Sequence, residues 1–486
     1  MRWKLNSSVY KRMSSKELTT ILNQDIENSA KVTSLQENGN PPWNLSLPHI
    51  CVATLISFLF GYHVSVVNEP LESISLDLGF AGNTLAEGLV VSTCLGGAFV
   101  GCLFSGSLAD GIGRRRSFQL SALPMIIGAA ISASTNRLEG MLLGRFLVGT
   151  GMGLGPPVAS LYVAEISPSY VRGTYGSFIQ IATCLGIIVA LFVGIPVKDA
   201  AGWWRMCFWI ATAPATLLAI CMEFCAESPQ WLYKRGRIGE AEAEFERLLG
   251  ASHVKAAMAE LTRSDRGEDG DSIKYSELLY GRHFKVVFIG TTLFALQQLS
   301  GINAVFYFSS TVFKSAGVPS SLANICVGFS NLSGSIIAML LMDKLGRRLL
   351  LLGSFIGMAV AMGVQAGAAS LHHLSSGTIY LSVGGMLLFV LSFSLGAGPV
   401  PGLLLPEIFP NRIRAKAMAL CMSVHWVINF FVGLLFLQLL EQLGAELLYS
   451  IFATVCVVAA IFVRKNVVET KGKTLQEIEV ALLQTQ

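Results

Sequence analysis

Amide side chains lie in the middle of a long apolar segment, where a bilayer would leave them without water. Residues 286–313 include no charged side chain and carry Gln297, Gln298 and Asn303 near their centre. An amide left without a partner in hydrocarbon costs roughly 2–7 kcal/mol. Polar groups at this depth usually face a bundle interior or a water-filled cavity. The segment therefore predicts a polar ligand site inside a membrane, with hydrogen bonding between helices as the alternative.

The spacing of these amides conflicts with a single straight helix. On an ideal helix Gln298 and Asn303 point about 140° apart, so they cannot both face one ligand. Gly301 lies between them, and glycine can adopt the backbone conformations that break a helix. We therefore predict a break at Gly301.

Uncharged polar residues in other apolar segments could join the same site. Amides donate and accept hydrogen bonds, and an aromatic face packs against the C–H face of a ring. A set with few charges favours a neutral polyhydroxyl ligand over an ion or an amino acid, although each residue alone could serve packing. These residues are Gln180, Asn331, His425, Trp426 and Asn429.

The elements that must position these side chains are membrane-spanning helices. The chain has 486 residues, of which 52% are hydrophobic and 14% are charged, whereas soluble proteins have about 25% charged residues. Twelve segments reach or approach the ~20 apolar residues that a spanning helix needs. The composition predicts an all-α membrane protein with both termini on the same side.

Basic residues mark one side of the predicted bundle, which we call the basic face. Because basic loops stay on the non-translocated side, we assign both termini and the central loop to the basic face. The first loop of the other side, the opposite face, has only acids: Glu69, Glu72, Asp77 and Glu87. The basic-face residues are Arg114, Arg115, Arg116, Arg172, Lys344, Arg347, Arg348, Arg412, Arg414 and Lys416.

Short motifs recur in the two parts of the chain. Two related six-span halves are typical of duplicated transporters. The recurring pairs are Glu165-Ile166-Ser167-Pro168 with Glu407-Ile408-Phe409-Pro410, Glu227-Ser228 with Glu469-Thr470, and the Gly-Arg-Arg loops at 113–115 and 346–348.

The repeat and the apolar segments predict five regions. Within the third region, Ile238–Leu249 has apolar residues on one side and acids on the other, which predicts an amphipathic helix. The regions are a disordered N-terminal tail (1–47), a six-helix bundle (48–226), an intracellular helical linker (227–283), a second six-helix bundle (284–466) and a C-terminal tail (467–486).

Glycine–proline motifs occur at matching depths in the fourth and tenth spans, at 155–157 and 398–401. Proline removes a backbone donor and clashes with the preceding turn, so we predict that both spans are interrupted. In membranes such breaks persist where they line a cavity or are covered by neighbours. A packing kink is the alternative for either motif alone, and the symmetric placement favours transport.

The remaining composition indicates no catalytic chemistry. Most of the ten cysteines lie in apolar spans, where a thiol packs as a small hydrophobe, and none has metal-ligand spacing with histidines. There is no phosphate loop and no nucleophile with a plausible base. We predict no enzymatic activity, no metal, no cofactor and no nucleic-acid partner.

Several motifs, taken in order, resemble the sugar porter family of the major facilitator superfamily over about residues 48–480. They are Gln297-Gln298-Leu299-Ser300-Gly301-Ile302-Asn303, the two Gly-Arg-Arg loops, Glu227-Ser228-Pro229-Gln230-Trp231-Leu232 and Glu469-Thr470-Lys471-Gly472. Residues 392–401 and 405–409, with Val468 in place of a common proline, resemble the plastidic glucose transporters of plants. The resemblance implies twelve transmembrane helices in two pseudo-symmetric bundles, the major facilitator fold.

The resemblance also implies a hexose site. Gly402 stands where many relatives carry a tryptophan over the sugar, and His425 replaces a common asparagine. Losing the indole is expected to widen the pocket, and the plastidic group also tends to carry a small residue there. The implied binding residues are Gln180, Gln297, Gln298, Asn303, Asn331, Trp426 and Asn429.

The first span bears on coupling. Proton symporters of the family carry an aspartate at the place of His63, where the resemblance implies proton exchange beside Arg145. Histidine cannot reproduce the charge of a carboxylate, so facilitated diffusion is favoured. Because a histidine can itself take up a proton near neutral pH, proton-coupled symport remains the alternative.

The charged loops resemble the intracellular network of the family. Our hypothesis is a latch between the halves that breaks when the basic face opens; topology and surface solvation are the alternative roles. The network residues are Arg114, Arg115, Glu165, Arg172 and Glu227 in the first half, and Arg347, Arg348, Glu407, Arg414 and Glu469 in the second.

Together these patterns predict a monomeric alternating-access carrier of a neutral hexose, glucose, in a lipid bilayer. The resemblance implies the inner envelope of the plastid, with the plasma membrane and the vacuolar membrane as alternatives. A non-transporting sugar sensor is the competing class, but family sensors tend to have long extensions and the tail after Lys473 is short. A membrane enzyme would need a charged catalytic cluster at one face, whereas the charged loops repeat symmetrically.

Overall fold

The computed structural model describes residues 40–168, 170–265, 283–315, 317, 319–371, 378–409 and 413–471. Within these ranges the chain is helical and contains no strand. The predicted tails and linker fall partly outside the described residues, at 1–39, 266–282 and 472–486.

The first half contains six long helices and one short helix at the opposite face. α1 packs against α6, and α5 packs against both α3 and α4. The bounds are α1 Leu47–Ser65, the short α2 Leu71–Asp77, α3 Thr84–Ile112, α4 Arg114–Ser134, α5 Leu138–Ile166, α6 Arg172–Val193 and α7 Trp203–Cys221.

Three short helices follow at the basic face and confirm the predicted amphipathic segment. They are α8 Pro229–Lys234, α9 Ile238–Leu249 and α10 Val254–Asp265. Along α9 the buried residues are Ala241, Phe245 and Leu248, one helical turn apart.

The second half repeats the long helices with more interruptions. The bounds are α11 Phe284–Leu299, α12 Ile302–Ser315, α13 Ser320–Leu345, α14 Arg347–Leu371, α15 Thr378–Leu395, α16 Pro399–Ile408 and α17 Arg414–Asn466. Gly301 separates α11 from α12 with a φ of 85°, which confirms the predicted break.

The number of spans agrees with the prediction of twelve. In the described part of the chain, eleven helical segments are long and apolar enough to cross a membrane. The last of them belongs to α17, which has 53 residues and contains Gly444 with φ 76° and ψ 162°. This conformation is not helical, so α17 consists of two spans joined at Gly444.

The two glycine–proline motifs behave differently, and the predicted interruption of the fourth span is wrong. The tenth span breaks before Pro399, between α15 and α16, whereas α5 continues through Pro156 and Pro157. A Cβ on Gly149 or Gly153 would lie about 2 Å from carbonyl oxygens of α3. This close packing of α5 on α3 covers the helix and holds it despite the missing donors.

The halves meet along two pairs of helices. α3 packs against α17, and α6 packs against α13. At Gly88 a Cβ would lie 2.4 Å from the carbonyl oxygen of Leu434, so glycine permits the close approach of α3 and α17. Small residues at such a contact are typical of helix packing in membranes.

Candidate functional site

The break at Gly301 brings together the amides that a straight helix would separate. Gln298 lies in the last turn of α11, and Asn303 lies in the first turn of α12. The Asn303 Nδ2 donates to Gln298 Oε1. Gln298 Nε2 donates to Gln297 Oε1 at 3.2 Å and lies 3.0 Å from His425 Nδ1. Three helices therefore supply one hydrogen-bonded amide cluster.

The break in the tenth span supplies a carbonyl to this cluster. Gln297 Nε2 donates to the backbone oxygen of Ala397 at 2.5 Å. Ala397 precedes Pro399 at the break, and its own N–H donates to Ser354 Oγ at 2.8 Å. A continuous helix would use such a carbonyl internally, so the break frees an acceptor for the amide.

The first part of α17 contributes an aromatic and an amide side chain. Trp426 is 3% exposed, and its ring lies edge-on to Phe60 of α1 with 6.1 Å between the ring centroids. The Tyr307 hydroxyl of α12 donates to Asn429 Oδ1 at 3.2 Å. These contacts join both halves around the amide cluster.

The two remaining predicted residues, Gln180 and Asn331, are joined by a cysteine. Gln180 Nε2 lies 3.7 Å and Asn331 Nδ2 lies 3.4 Å from Cys184 Sγ, and both amides donate to it. Asn331 Oδ1 accepts from the Ser394 hydroxyl at 2.6 Å. Because α6 belongs to the first half and α13 to the second, this contact crosses between the halves.

Ser394 lies in the last turn of α15, and Ala397 lies three residues further along the chain, in the break of the tenth span. The group around Gln180 and Asn331 and the group around Gln297 and Gln298 therefore bond to neighbouring residues of the tenth span. We call the two groups together the amide path. Sequence analysis assigned Cys184 to packing and did not single out Ser394 as a site residue. For Cys184 the available signal was its position one helical turn after Gln180.

Gly402 has open space where a larger side chain would lie. It lies in α16, is exposed, and a Cβ there would meet no atom within 4 Å. The backbone therefore has room for a larger side chain, as expected where relatives carry an indole.

His63 and Arg145 are both buried in the first half, but their side chains do not bond to each other. Arg145 Nη2 donates to the His63 backbone oxygen at 3.3 Å, and Arg145 Nε donates to the Val90 oxygen at 3.2 Å. Neither ring nitrogen of His63 has a hydrogen-bond partner among the described residues. Among the described residues, no carboxylate lies within ion-pair distance of Arg145.

At the basic face, four predicted residues of the first half form one network. Arg114 donates two bonds of 2.8 Å to the Glu165 carboxylate. The backbone N–H groups of Arg114 and Arg115, at the start of α4, donate to Glu227 at 2.9 and 3.2 Å. A carboxylate at a helix N-terminus satisfies free backbone donors and the helix dipole.

The second half repeats this arrangement. Arg347 Nη2 donates to Glu407 Oε1 at 3.1 Å. The backbone N–H groups of Arg347 and Arg348, at the start of α14, donate to Glu469 at 2.9 and 3.0 Å. The glycine before each pair, Gly113 or Gly346, has positive φ, and a Cβ there would lie 2.6 Å from the capping carboxylate.

The two capping carboxylates differ in environment. Burial raises the pKa of Glu227, although backbone N–H groups of Ser228, Arg114 and Arg115 favour its charged form. Glu469 is less buried; burial opposes its ionisation, but four backbone N–H groups outweigh this and hold its pKa below the ordinary value. The first network is therefore the more deeply buried of the two.

Arg172 and Arg414 are not brought into the networks. Arg172 begins α6 and is exposed, and Arg414 begins α17. Across the described ranges, neither side chain forms an ion pair with the network acids.

At the opposite face, in contrast, polar side chains bond across the halves. Asn68, after α1, donates from Nδ2 to Ser309 Oγ of α12 at 2.7 Å and accepts the backbone N–H of Ser310 at 2.9 Å. Ser309 Oγ in turn donates to Asn324 Oδ1 of α13 at 2.6 Å. Asn68 and Asn324 are at most 2% exposed, so these bonds close the halves together at this face.

Known proteins share both the sequence and this architecture. The chain is 69% identical over 484 residues to "Probable plastidic glucose transporter 2" of Arabidopsis thaliana, covering 98% of each chain. The inward-open xylose transporter XylE from E. coli superposes with a TM-score of 0.77 at 29% identity, covering 89% of this chain and 98% of that one. The proton:xylose symporter XylE bound to 6-bromo-6-deoxy-D-glucose gives a TM-score of 0.76 at 30% identity, covering 90% and 99%.

A sequence model of one family matches nearly all of the described spans, over residues 49–482. Its description is "Sugar (and other) transporter". The match agrees with the two bundles, the twelve spans and the paired loops at the basic face. This chain belongs to the Sugar (and other) transporter family, within the major facilitator fold.

Proposed function

We propose that the chain is an alternating-access carrier of a neutral monosaccharide, glucose, that works by facilitated diffusion. The observation that carries the proposal is that uncharged amides of both halves, from Gln180 to Asn303, bond to neighbouring residues of the tenth span and to each other within two groups. A sugar hydroxyl both donates and accepts, as an amide does, so sugar can exchange for bonds within the amide path. The name of the Arabidopsis relative supports glucose as the substrate.

The site residues we propose come from both halves, as rocking around a central site requires. Gln297, Gln298 and Asn303 would hold hydroxyls from one side and Gln180 from the other, while Trp426 packs against the ring. Asn331 and Asn429 complete the proposed set. Gly402 leaves room for a larger side chain on α16.

The region of His63 and Arg145 supports uniport over symport. A proton-coupled carrier needs a group that changes charge beside Arg145, and among the described residues no carboxylate pairs with it. The second candidate is proton symport through the His63 ring, which lies in the same buried region as Arg145. The proton:xylose symporter XylE, which has a similar fold, supports this second candidate.

The charged networks support the proposed latch between halves only in part. In this structure the Arg114–Glu165 and Arg347–Glu407 pairs lie within one half each. On our proposal, the latch forms between halves when the basic face is closed and is broken here. We further propose a monomer in the inner envelope of plastids, and the name of the Arabidopsis relative supports the plastid location.

Radiolabelled glucose uptake into proteoliposomes tests the function. We expect uptake that equilibrates the sugar and is unchanged by an imposed pH gradient. Accumulation above equilibrium that follows the gradient and is lost in His63→Ala would establish symport instead. Absence of glucose flux with correctly inserted protein would contradict the carrier proposal.

A further inference from the structure

A buried carboxylate lies at the centre of the contacts between halves at the opposite face. Glu69 follows Asn68, and its side chain is 5% exposed. Its Oε2 accepts from Ser310 Oγ of α12 at 2.6 Å and from Asn324 Nδ2 of α13 at 2.9 Å. Both donors belong to the second half, whereas Glu69 belongs to the first.

The other oxygen of Glu69 meets a positive charge. Glu69 Oε1 pairs with Lys198 Nζ, from the loop after α6, and accepts from Ser321 Oγ at 3.1 Å. Lys198 Nζ also lies 3.3 Å from Ser321 Oγ, to which it donates. Lys198 therefore bonds to both halves and neutralises the carboxylate within the closed contact.

All these partners donate hydrogen bonds to Glu69, so the cluster favours the ionised form of its carboxylate. Burial opposes ionisation of Glu69, but the bonds from Lys198, Ser310 and Ser321 outweigh burial and hold the pKa of its carboxyl below the ordinary value. An ionised carboxylate has only acceptor sites, whereas an amide would turn its NH₂ group toward donors. Hydrogen bonds to charged groups are also stronger than neutral ones.

We propose that Glu69, paired with Lys198, is an electrostatic latch that holds the opposite face closed and sets the balance between the two facing states. Opening this face requires Glu69 to leave Ser310, Ser321 and Asn324 together. The proposal depends on one part of the proposed function, namely that the two faces open alternately.

The position of α12 links this latch to the amide cluster. Asn303 lies at one end of α12 and contacts Gln298, while Ser309 and Ser310 lie further along it and contact Asn68 and Glu69. The glycine at 301 begins the helix with a positive φ. A movement of α12 would therefore change both groups of bonds.

A second ion pair at the same face offers a matched control. Lys314 of α12 pairs with Glu72 of α2, again across the halves. The Lys314 and Glu72 side chains are 46% and 65% exposed, whereas the Glu69 side chain is 5% exposed. Exposed pairs contribute little because water screens them. The same substitution at the two acids thus separates a buried latch from a surface contact.

The test measures distances between two spin labels across the opposite face in the purified full-length protein. Leu76 of α2 and Leu322 of α13 are 64% and 68% exposed and can carry labels on introduced ketone-bearing residues, which avoids the native cysteines. In Glu69→Gln we expect the ratio of open to closed populations to rise roughly tenfold or more. Lys198→Met should shift it in the same direction, and Glu72→Gln should change it by about twofold or less.

The outcomes separate the latch from the transport proposal because the label distance needs no sugar. The Glu69 latch would be overturned if the open populations in Glu69→Gln and Lys198→Met were no larger than in Glu72→Gln. If Glu69→Gln does not fold, Lys198→Met decides alone, since it leaves the carboxylate in place. A shift in the distances without any glucose flux would support the latch and contradict the carrier.

Discussion

The two faces of the bundle use similar side chains in opposite ways. At the opposite face, Asn68 and Glu69 of the first half bond directly to α12 and α13 of the second. At the basic face, Arg114 pairs with Glu165 and Arg347 pairs with Glu407, each within its own half. Bonds across the halves must break when a face opens, whereas bonds within a half move with it. The comparison indicates that side-chain bonds between the halves close the opposite face. At the basic face, the described networks instead hold the loops within each half.

The largest expected effect is the loss of stability on removing Arg114. Arg114 and Glu165 are 6% and 8% exposed, and truncating one member of a buried pair leaves an uncompensated charge. Arg114→Ala is expected to cost about 3–5 kcal/mol, measured by unfolding of the purified protein in detergent. The exposed Arg172 provides the control, and Arg172→Ala should cost about 0.5 kcal/mol or less. Equal stability of the two variants would contradict a network that stabilises its own half.

Removing Arg347 should have a smaller effect of the same kind. Arg347 and Glu407 are 18% and 33% exposed, so water screens their pair more than that of Arg114. We expect Arg347→Ala to cost about 1–3 kcal/mol in the same unfolding measurement. A cost above that of Arg114→Ala would show that burial does not rank the two networks.

Acid should open the opposite face through Glu69. Its pKa is lowered in the closed state, so the latch contributes fully above the ordinary glutamate value near 4.3 and is lost as the pH falls through the lowered value. The Glu72–Lys314 pair at the same face is exposed and contributes little. In the label-distance measurement, we expect the open population to stay constant from pH 8 to about 5.5 and to rise below about 4.5. A rise that persists in Glu69→Gln would assign the effect to another group.

The smallest expected effect is on removing Lys314 from its exposed pair. Lys314→Met should change both stability and the open population by less than about 1 kcal/mol, since surface pairs are weak. The same label distances and unfolding curves measure it. An effect as large as that of Lys198→Met would mean that the opposite face is held by charge in general and not by the buried cluster.

Much of the fold could be predicted from the sequence because it depends on local patterns. Apolar length indicated the spans, Gly301 indicated the break between α11 and α12, and the spacing along 238–249 indicated α9. The interruption at Pro156 was predicted wrongly because its outcome depends on packing against α3, which the motif does not contain. Gly396 and Gly398 precede the proline of the tenth span, and there the chain does break.

The site was predictable in its residue types but not in its bonds. Amides at mid-depth indicated polar lining, yet nothing in the sequence pairs Asn331 with Cys184 or Gln297 with the Ala397 carbonyl. Glu69 entered the sequence analysis only as one of the acids of a loop. Its partners come from three segments distant in sequence, and only the tertiary structure brings them to one carboxylate.

Glucose exchange by Gln298→Ala in proteoliposomes tests the central claim most directly, with Gln365→Ala as the matched control. Gln365 is also a buried glutamine at 1% exposure, but it bonds to Ser382 between α14 and α15, away from the amide path. The account predicts that Gln298→Ala lowers kcat/KM for glucose at least about tenfold while Gln365→Ala retains it, because only the former leaves site partners unpaired. Exchange by Gln298→Ala at the wild-type rate and apparent affinity would contradict the assigned site.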